Sequence, residues 1–150
     1  MPLHGSCAAL RGDAVLLLGP PGAGKSDLVL RLLGRGWALV ADDQVELSAD
    51  EAGLAVAPPD ALSGMLEVRG LGIFRGLPVE APARLRLAID LLPAGDPVPR
   101  LPERMAFRAM GHAVPRLGLH GLEASAPDKA ALALEAACGR LGQVSGAFGP

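Results

Sequence analysis

The sequence predicts an α/β domain of the P-loop class. Three observations lead there: a continuous apolar run over residues 14–18, a glycine-rich stretch ending in Lys25-Ser26, and Leu28, Val29 and Leu32 at helical spacing directly after it. Strand, loop and helix in that order are the local unit that cradles phosphate. The chain has 150 residues, a length that fits a single domain spanning 1–150. Hydrophobic residues make up 50% and charged residues 20%, which excludes a disordered chain. The 20 glycines and 14 prolines predict short elements joined by many turns.

The elements follow from local pattern. Residues 3–10 read as a short strand, residues 11–13 as a turn, and residues 14–18 as a strand buried on both faces. The loop over residues 19–24 feeds a helix over 26–33, which Gly34 ends. Residues 38–41 form another buried strand that stops at Asp42-Asp43, and residues 45–47 and 54–57 form a hairpin around 50–53. Alternation over residues 84–89 predicts a half-exposed strand. Residues 93–102 read as a loop and 113–119 as a weak strand. A last helix is capped by Ser125, has Pro127 in its first turn, carries Leu132 and Leu134, and stops near Gly139. The tail after Gly142 is expected to fray.

Composition narrows the function classes. One Trp, three Phe and no Tyr leave little for stacking on bases, and a net charge of −2 without a basic tail argues against nucleic-acid partners and anionic membranes. No apolar run approaches the roughly 20 residues of a membrane span, and no signal peptide is apparent, so a cytoplasmic protein is expected. Cys7 and Cys138 have no metal-ligand spacing; two free thiols are expected over one long-range disulfide.

Gly19-Pro20-Pro21-Gly22-Ala23-Gly24-Lys25-Ser26 fits G-x-x-x-x-G-K-[ST] in full. Glycines let backbone N–H groups turn inward around a β-phosphate. Lys25 is placed to reach the β- and γ-phosphates of ATP, and the Ser26 hydroxyl to ligate Mg²⁺. Asp42 and Asp43 close an apolar strand: one carboxylate can hold Mg²⁺ through water while the other takes a proton from an acceptor hydroxyl, or the two form an acidic turn. In Glu67-Val68-Arg69-Gly70-Leu71-Gly72-Ile73, Glu67 suits a second magnesium carboxylate and Arg69 a phosphate clamp; the alternative is an exposed, salt-bridged turn.

Together, His4-Gly5, the glycine loop, Leu39-Val40-Ala41-Asp42-Asp43-Gln44-Val45 and residues 67–73 resemble the catalytic domain of the bacterial HPr kinase/phosphorylase family. The resemblance runs from residue 3 to about residue 74, and the spacings among His4, Lys25, Asp43 and Glu67 are also similar to the family's. It implies a P-loop fold similar to phosphoenolpyruvate carboxykinase and ATP-dependent phosphorylation of a serine on HPr, a phosphocarrier of the sugar phosphotransferase system. It further implies Asp43 as proton acceptor, Asp42 and Glu67 at the metal with Ser26, His4 as an active-site histidine, and Arg100 as a catalytic arginine. For Arg100 a solvated loop residue is an equal reading. A homo-oligomer is also implied, a hexamer in the family.

Three departures stand beside the resemblance. The match begins at residue 3, so the family's N-terminal domain is expected to be absent, as in a truncated proteobacterial form. Phe74-Arg75-Gly76-Leu77 replaces a longer loop. Residues 114–120 replace the basic glycine-arginine-asparagine loop tied to dephosphorylation, which leaves phosphorylase activity in doubt. The competing functional classes are a small-molecule P-loop kinase, whose arginine-rich lid has no match here because Arg84 and Arg86 lie on an apparent strand and Arg100, Arg104 and Arg108 are scattered, and a non-catalytic ATP sensor.

Overall fold

A computed structural model describes residues 1–150 and sets two helices against a nine-stranded mixed sheet. In chain order the strands are β1 (Pro2–His4), β2 (Ser6–Leu10), β3 (Asp13–Leu18), β4 (Ala38–Ala41), β5 (Gln44–Asp50), β6 (Gly53–Ala57), β7 (Leu66–Val68), β8 (Gly72–Phe74), β9 (Ala83–Leu92), β10 (Met105–Ala109) and β11 (His112–His120). The helices are α1 (Lys25–Leu33) and α2 (Ala126–Ala137). The sheet runs β1-β5-β6-β9-β3-β2-β4, with the β10–β11 hairpin joined to β9; β7 and β8 form a separate hairpin. No helix is long and apolar enough to cross a membrane.

Burial on both faces of β3 divides the core in two. Val15 and Leu17 pack with Leu28, Val29 and Leu32 of α1 and Ala130 and Leu134 of α2. Ala14 and Leu16 face the opposite way, against Val45, Leu47, Leu54 and Val56 of the β5–β6 hairpin. Cys7 is buried and Cys138 half-buried, and both are free; burial pushes the Cys7 thiol up.

Residues 3–10 are two strands, not one. The break is at Gly5, where a Cβ would lie 2.9 Å from the Leu17 carbonyl oxygen, so only glycine lets the backbone pass. β1 then pairs with β5, His4 opposite Gln44, while β2 pairs with β3 and β4.

The half-exposed strand expected over residues 84–89 is instead part of the ten-residue centre of the sheet. β9 runs parallel to β3 on one side, with antiparallel β6 and then parallel β11 on the other. The alternation misleads because the β3–β9 register shifts: Ala14 faces Leu85 and Val15 faces Leu87, leaving Arg86 as an extra residue. Leu85 therefore enters one core and Leu87, Ile89 and Leu91 the other. Arg84 and Arg86 stay at the start of the strand by pairing with Asp50 and Asp13.

Four further segments differ from the sequence expectation. Residues 105–109, which carry no readable pattern, form β10 through a tight turn at Met110 and Gly111, both at positive φ. Ser125 occupies the N-cap position of α2 without a capping hydrogen bond from its side chain. Leu132 faces solvent. The tail does not fray: Ala147 is buried, and the Phe148 amide donates to Gln143 Oε1 at 2.7 Å.

Strand direction decides where a ligand can sit. β3, β9 and β11 run parallel, and β4 shares their direction because it and β3 are both antiparallel to β2. Their carboxyl ends, together with the start of β2, therefore gather at one edge of the sheet, the usual place for a ligand in such folds.

Ile89, fully buried at the centre of β9, tests this arrangement. Ile89→Ala is expected to lower unfolding free energy by about 2–5 kcal/mol, measured by urea titration. A loss below about 1 kcal/mol would contradict a central β9.

Candidate functional site

The glycine loop leaves β3 at Leu18 and enters α1 at Lys25. Gly24 caps the helix at φ 99°, and a Cβ there would lie 2.7 Å from the Leu122 side chain, so the loop lies directly on the turn after β11. The Arg31 guanidinium fastens this packing by donating to the carbonyls of Gly121 and Glu123, the latter at 3.0 Å. Lys129 donates to Glu123 and holds its carboxyl below the usual range. The first amides of α1 have no partner within the helix and carry its partial positive charge toward the sheet edge. Lys25 Nζ folds back onto the loop, donating to the Gly19 and Pro20 carbonyls at 2.7 and 3.1 Å. An ammonium so placed sits among the groups a phosphate would meet, and two neutral carbonyls leave its charge uncompensated.

Asp42 collects three elements at once. Its Oδ1 accepts the Ser26 hydroxyl at 2.6 Å and the Ser6 hydroxyl at 3.0 Å, and its Oδ2 accepts the Glu67 amide at 3.1 Å. Thus β2, α1 and β7 all converge on the residue that follows β4.

Asp43 follows in a tight γ-turn. Its φ is 65°, and the Gln44 amide donates to the Asp42 carbonyl at 2.7 Å across it. That geometry is unfavourable for a residue with a side chain and persists only where neighbours hold it. Two do: the Asp43 amide donates to Ser6 Oγ at 3.1 Å, and the Gly5 amide donates to the Asp43 carbonyl at 3.0 Å. The turn breaks strand alternation, and the Asp43 side chain is exposed with no hydrogen-bond partner.

The structure thus brings Lys25, Ser26, Asp42, Asp43 and the Glu67 backbone together. His4, exposed at the end of β1, sits beside the Asp43 turn through its pairing with Gln44. The Glu67 carboxylate and Arg69 are exposed on the β7–β8 hairpin, the segment the sequence left open as a turn. Arg100 is exposed in the loop after β9 and makes no ion pair. Sequence reasoning missed Ser6, the only buried polar or charged residue in the chain. It also missed the bidentate Arg116–Asp90 pair, at 2.7 and 2.8 Å, where Asp90 lies opposite Leu18 at the mouth of the glycine loop.

The donor set suits magnesium. Ser26 Oγ and Asp42 Oδ1 are hard oxygen donors 2.6 Å apart, and no group of three or more His, Cys, Asp or Glu side chains could cage a metal unaided. Magnesium is ordinarily held by one or two carboxylates with substrate phosphates and water completing the shell.

Comparison with known proteins bears on family and fold. The profile of the family described as HPr Serine kinase C-terminal domain matches residues 1–79. An HPr kinase/phosphorylase of Bordetella pertussis is 42% identical over 109 residues, covering 67% of this chain and 35% of that protein. One of Clostridium tetani is 48% identical over 71 residues, covering 47% of this chain and 23% of that protein. The chain therefore spans 35% or less of the length of these two relatives. The solved Hpr(Ser) kinase/phosphatase of Coxiella burnetii superposes with a TM-score of 0.74 at 23% identity, covering 93% of this chain and 96% of that one, which establishes a shared mixed α/β fold.

Because Lys25 Nζ bonds only to loop carbonyls, Lys25→Ala is expected to weaken Mg·ATP binding by more than about tenfold while the melting temperature stays within a few degrees. Calorimetric titration and thermal unfolding check the two halves. Unchanged affinity in the folded variant would refute a phosphate contact.

Proposed function

The chain belongs to the HPr serine kinase C-terminal domain family, and from that membership we propose that it transfers the γ-phosphoryl group of ATP to a serine hydroxyl of HPr or an HPr-like phosphocarrier. The observation that carries the reading is Asp42, whose carboxylate joins the glycine-loop serine to the segment that ends in Asp43. A phosphate-binding edge and an exposed carboxylate for proton transfer are thereby held side by side. The same reading places the fold near phosphoenolpyruvate carboxykinase and the protein in the cytoplasm, as a homo-oligomer.

In this mechanism residues 19–26 are the phosphate loop. Their backbone N–H groups and the N-terminus of α1 bind the β-phosphate. Lys25 Nζ exchanges its two carbonyl partners for β- and γ-phosphate oxygens and stabilises the charge of the transferring group. Ser26 and Asp42, with Glu67 alongside, would hold Mg²⁺, which neutralises charge between the phosphates when bound. Asp43 accepts the proton of the serine hydroxyl as its oxygen attacks the γ-phosphorus, and ADP leaves. His4 stands beside the same turn as a polar contact for the acceptor. On family resemblance alone, Arg100, exposed on the loop after β9, is assigned to the transferring phosphoryl group.

The direct experiment is incubation with ATP, Mg²⁺ and the host's HPr-type proteins, read by intact mass. Addition of one phosphoryl group to HPr supports the proposal. Modification of small metabolites instead would make the protein a small-molecule kinase, and no ATP turnover at all would make it a sensor.

Asp43→Asn is near-isosteric and cannot take the proton. It is expected to lower kcat by about 100-fold or more while nucleotide affinity changes only a few-fold. Normal transfer by Asp43→Asn together with loss in Asp42→Asn would reverse the two roles.

Direction of reaction follows from charge. Phosphorolysis of phosphoserine brings an anionic phosphate against an anionic phosphoester, at about 4 kcal/mol per unit pair at 4 Å with an effective dielectric near 20. Where a basic loop would offset this, Arg116 is already neutralised by Asp90, and His120 Nε2 contacts the Asp96 carbonyl at 2.6 Å. The protein is therefore expected to act mainly as a kinase. With serine-phosphorylated HPr, millimolar phosphate and no ADP, pyrophosphate should appear far more slowly than HPr is phosphorylated. Comparable rates would show that other cations supply the missing charge.

A further inference from the structure

Ser6 is fully buried at the start of β2, beside the apolar residues Cys7, Ala8 and Ala9. A hydroxyl in that setting is costly unless both its donor and acceptor capacity are used. Here both are. Its proton goes to Asp42 Oδ1 at 3.0 Å, and its lone pair receives the Asp43 amide at 3.1 Å. One short side chain thus fixes the carboxylate of Asp42 and the backbone of Asp43 together.

The partners of Asp42 are not equivalent. Ser26 Oγ also donates to Oδ1, at 2.6 Å, yet it is the hydroxyl that must present a lone pair to a metal ion. Ser26 can do both jobs only if its O–H keeps pointing at Asp42 while an oxygen lone pair faces outward, or if it releases Asp42 altogether. In either case Ser6 and the Glu67 amide, one on each carboxylate oxygen, are the contacts to Asp42 that a metal ion at Ser26 does not disturb. Ser6 is also the side chain that clamps the positive-φ turn presenting Asp43.

We propose that Ser6 is a positioning residue for phosphoryl transfer: it orients Asp42 for magnesium and Asp43 for the acceptor proton without touching either substrate. The proposal rests on the kinase reading above, and its effect on magnesium can be measured apart from it. Partners that orient a metal-binding group typically change affinity or activity by 10–100-fold when removed.

The test compares wild type with Ser6→Ala, Ser6→Thr and, as a control, Val56→Ala, a buried β6 residue in the core on the other side of the sheet from α1. The first readout is the Mg²⁺ concentration for half-maximal magnesium-dependent ADP binding, by calorimetry. The second is kcat and the KM for HPr. Ser6→Ala is expected to raise the magnesium requirement about tenfold and to lower kcat about tenfold. Its KM for HPr should stay within about twofold, and Ser6→Thr should recover most of both losses because the hydroxyl returns. Val56→Ala should lower the melting temperature without moving the magnesium requirement. A folded Ser6→Ala variant with wild-type magnesium dependence overturns the proposal. So does a Val56→Ala variant with the same defect, which would make the effect one of general stability. Should Ser6→Ala not fold, Ser6→Cys, of similar size with only a weak S–H donor, takes its place: the same shift supports the proposal, and wild-type magnesium dependence overturns it. If wild type binds Mg·ADP but phosphorylates no HPr, the kinase reading fails while the binding readout still decides the role of Ser6 toward Asp42.

Discussion

The structure depends on one carboxylate. Asp42 follows a buried strand, yet its two oxygens receive the Ser6 hydroxyl from β2, the Ser26 hydroxyl from α1 and the Glu67 amide from β7. A charged group at the rim of an apolar core is stable only when such donors replace water. The same donors bring β2, α1 and β7 onto the residue that follows β4. The glycine loop, the strained Asp43 turn and the β7–β8 hairpin are therefore tied to a single point. Under the proposed kinase reading, a cation and a phosphate at this edge would meet groups already placed, which is what electrostatic stabilisation of a transferring phosphoryl group requires.

That edge exists because of the sheet beneath it. Parallel β3, β9 and β11 deliver their carboxyl ends to one side, and β4 reaches the same side through β2. The extra residue at Arg86 turns Leu87, Ile89 and Leu91 toward the helices, so that α1 and α2 rest on the same layer. α1 then begins where the glycine loop needs it, and Arg31 secures the loop to the turn after β11. The residues beyond the family match thus still contribute the wall of the site: the Leu122 side chain occupies the space into which a Cβ at Gly24 would project.

Much of this was legible in the sequence, for a physical reason. The glycine loop, its lysine and serine, and the paired aspartates are local patterns whose chemistry depends on neighbours within a few residues. The strands on either side are continuous apolar runs, readable without knowing their partners. What was not legible depends on pairing across the fold. The Arg84–Ile89 segment looks amphipathic until the register shift against Ala14 and Val15 is known. Residues 105–109 become a strand only because β11 pairs with them, and the tail is ordered only by contacts to a finished core. Ser6 is the clearest case. A serine in a short strand carries no signal until β2–β4 pairing brings it against Asp42, 36 residues away in the chain.

If Asp42 organises this edge for phosphoryl transfer, the Ser26–Asp42 pair is where the metal and the nucleotide phosphates meet. A crystal structure with Mn²⁺ in place of Mg²⁺ and a non-hydrolysable ATP analogue reads this directly, with manganese located by its anomalous signal. One strong peak is expected within coordination distance of both Ser26 Oγ and an Asp42 carboxylate oxygen, beside phosphates cradled by residues 19–26. Manganese bound elsewhere, or a nucleotide seated away from that loop, would contradict it.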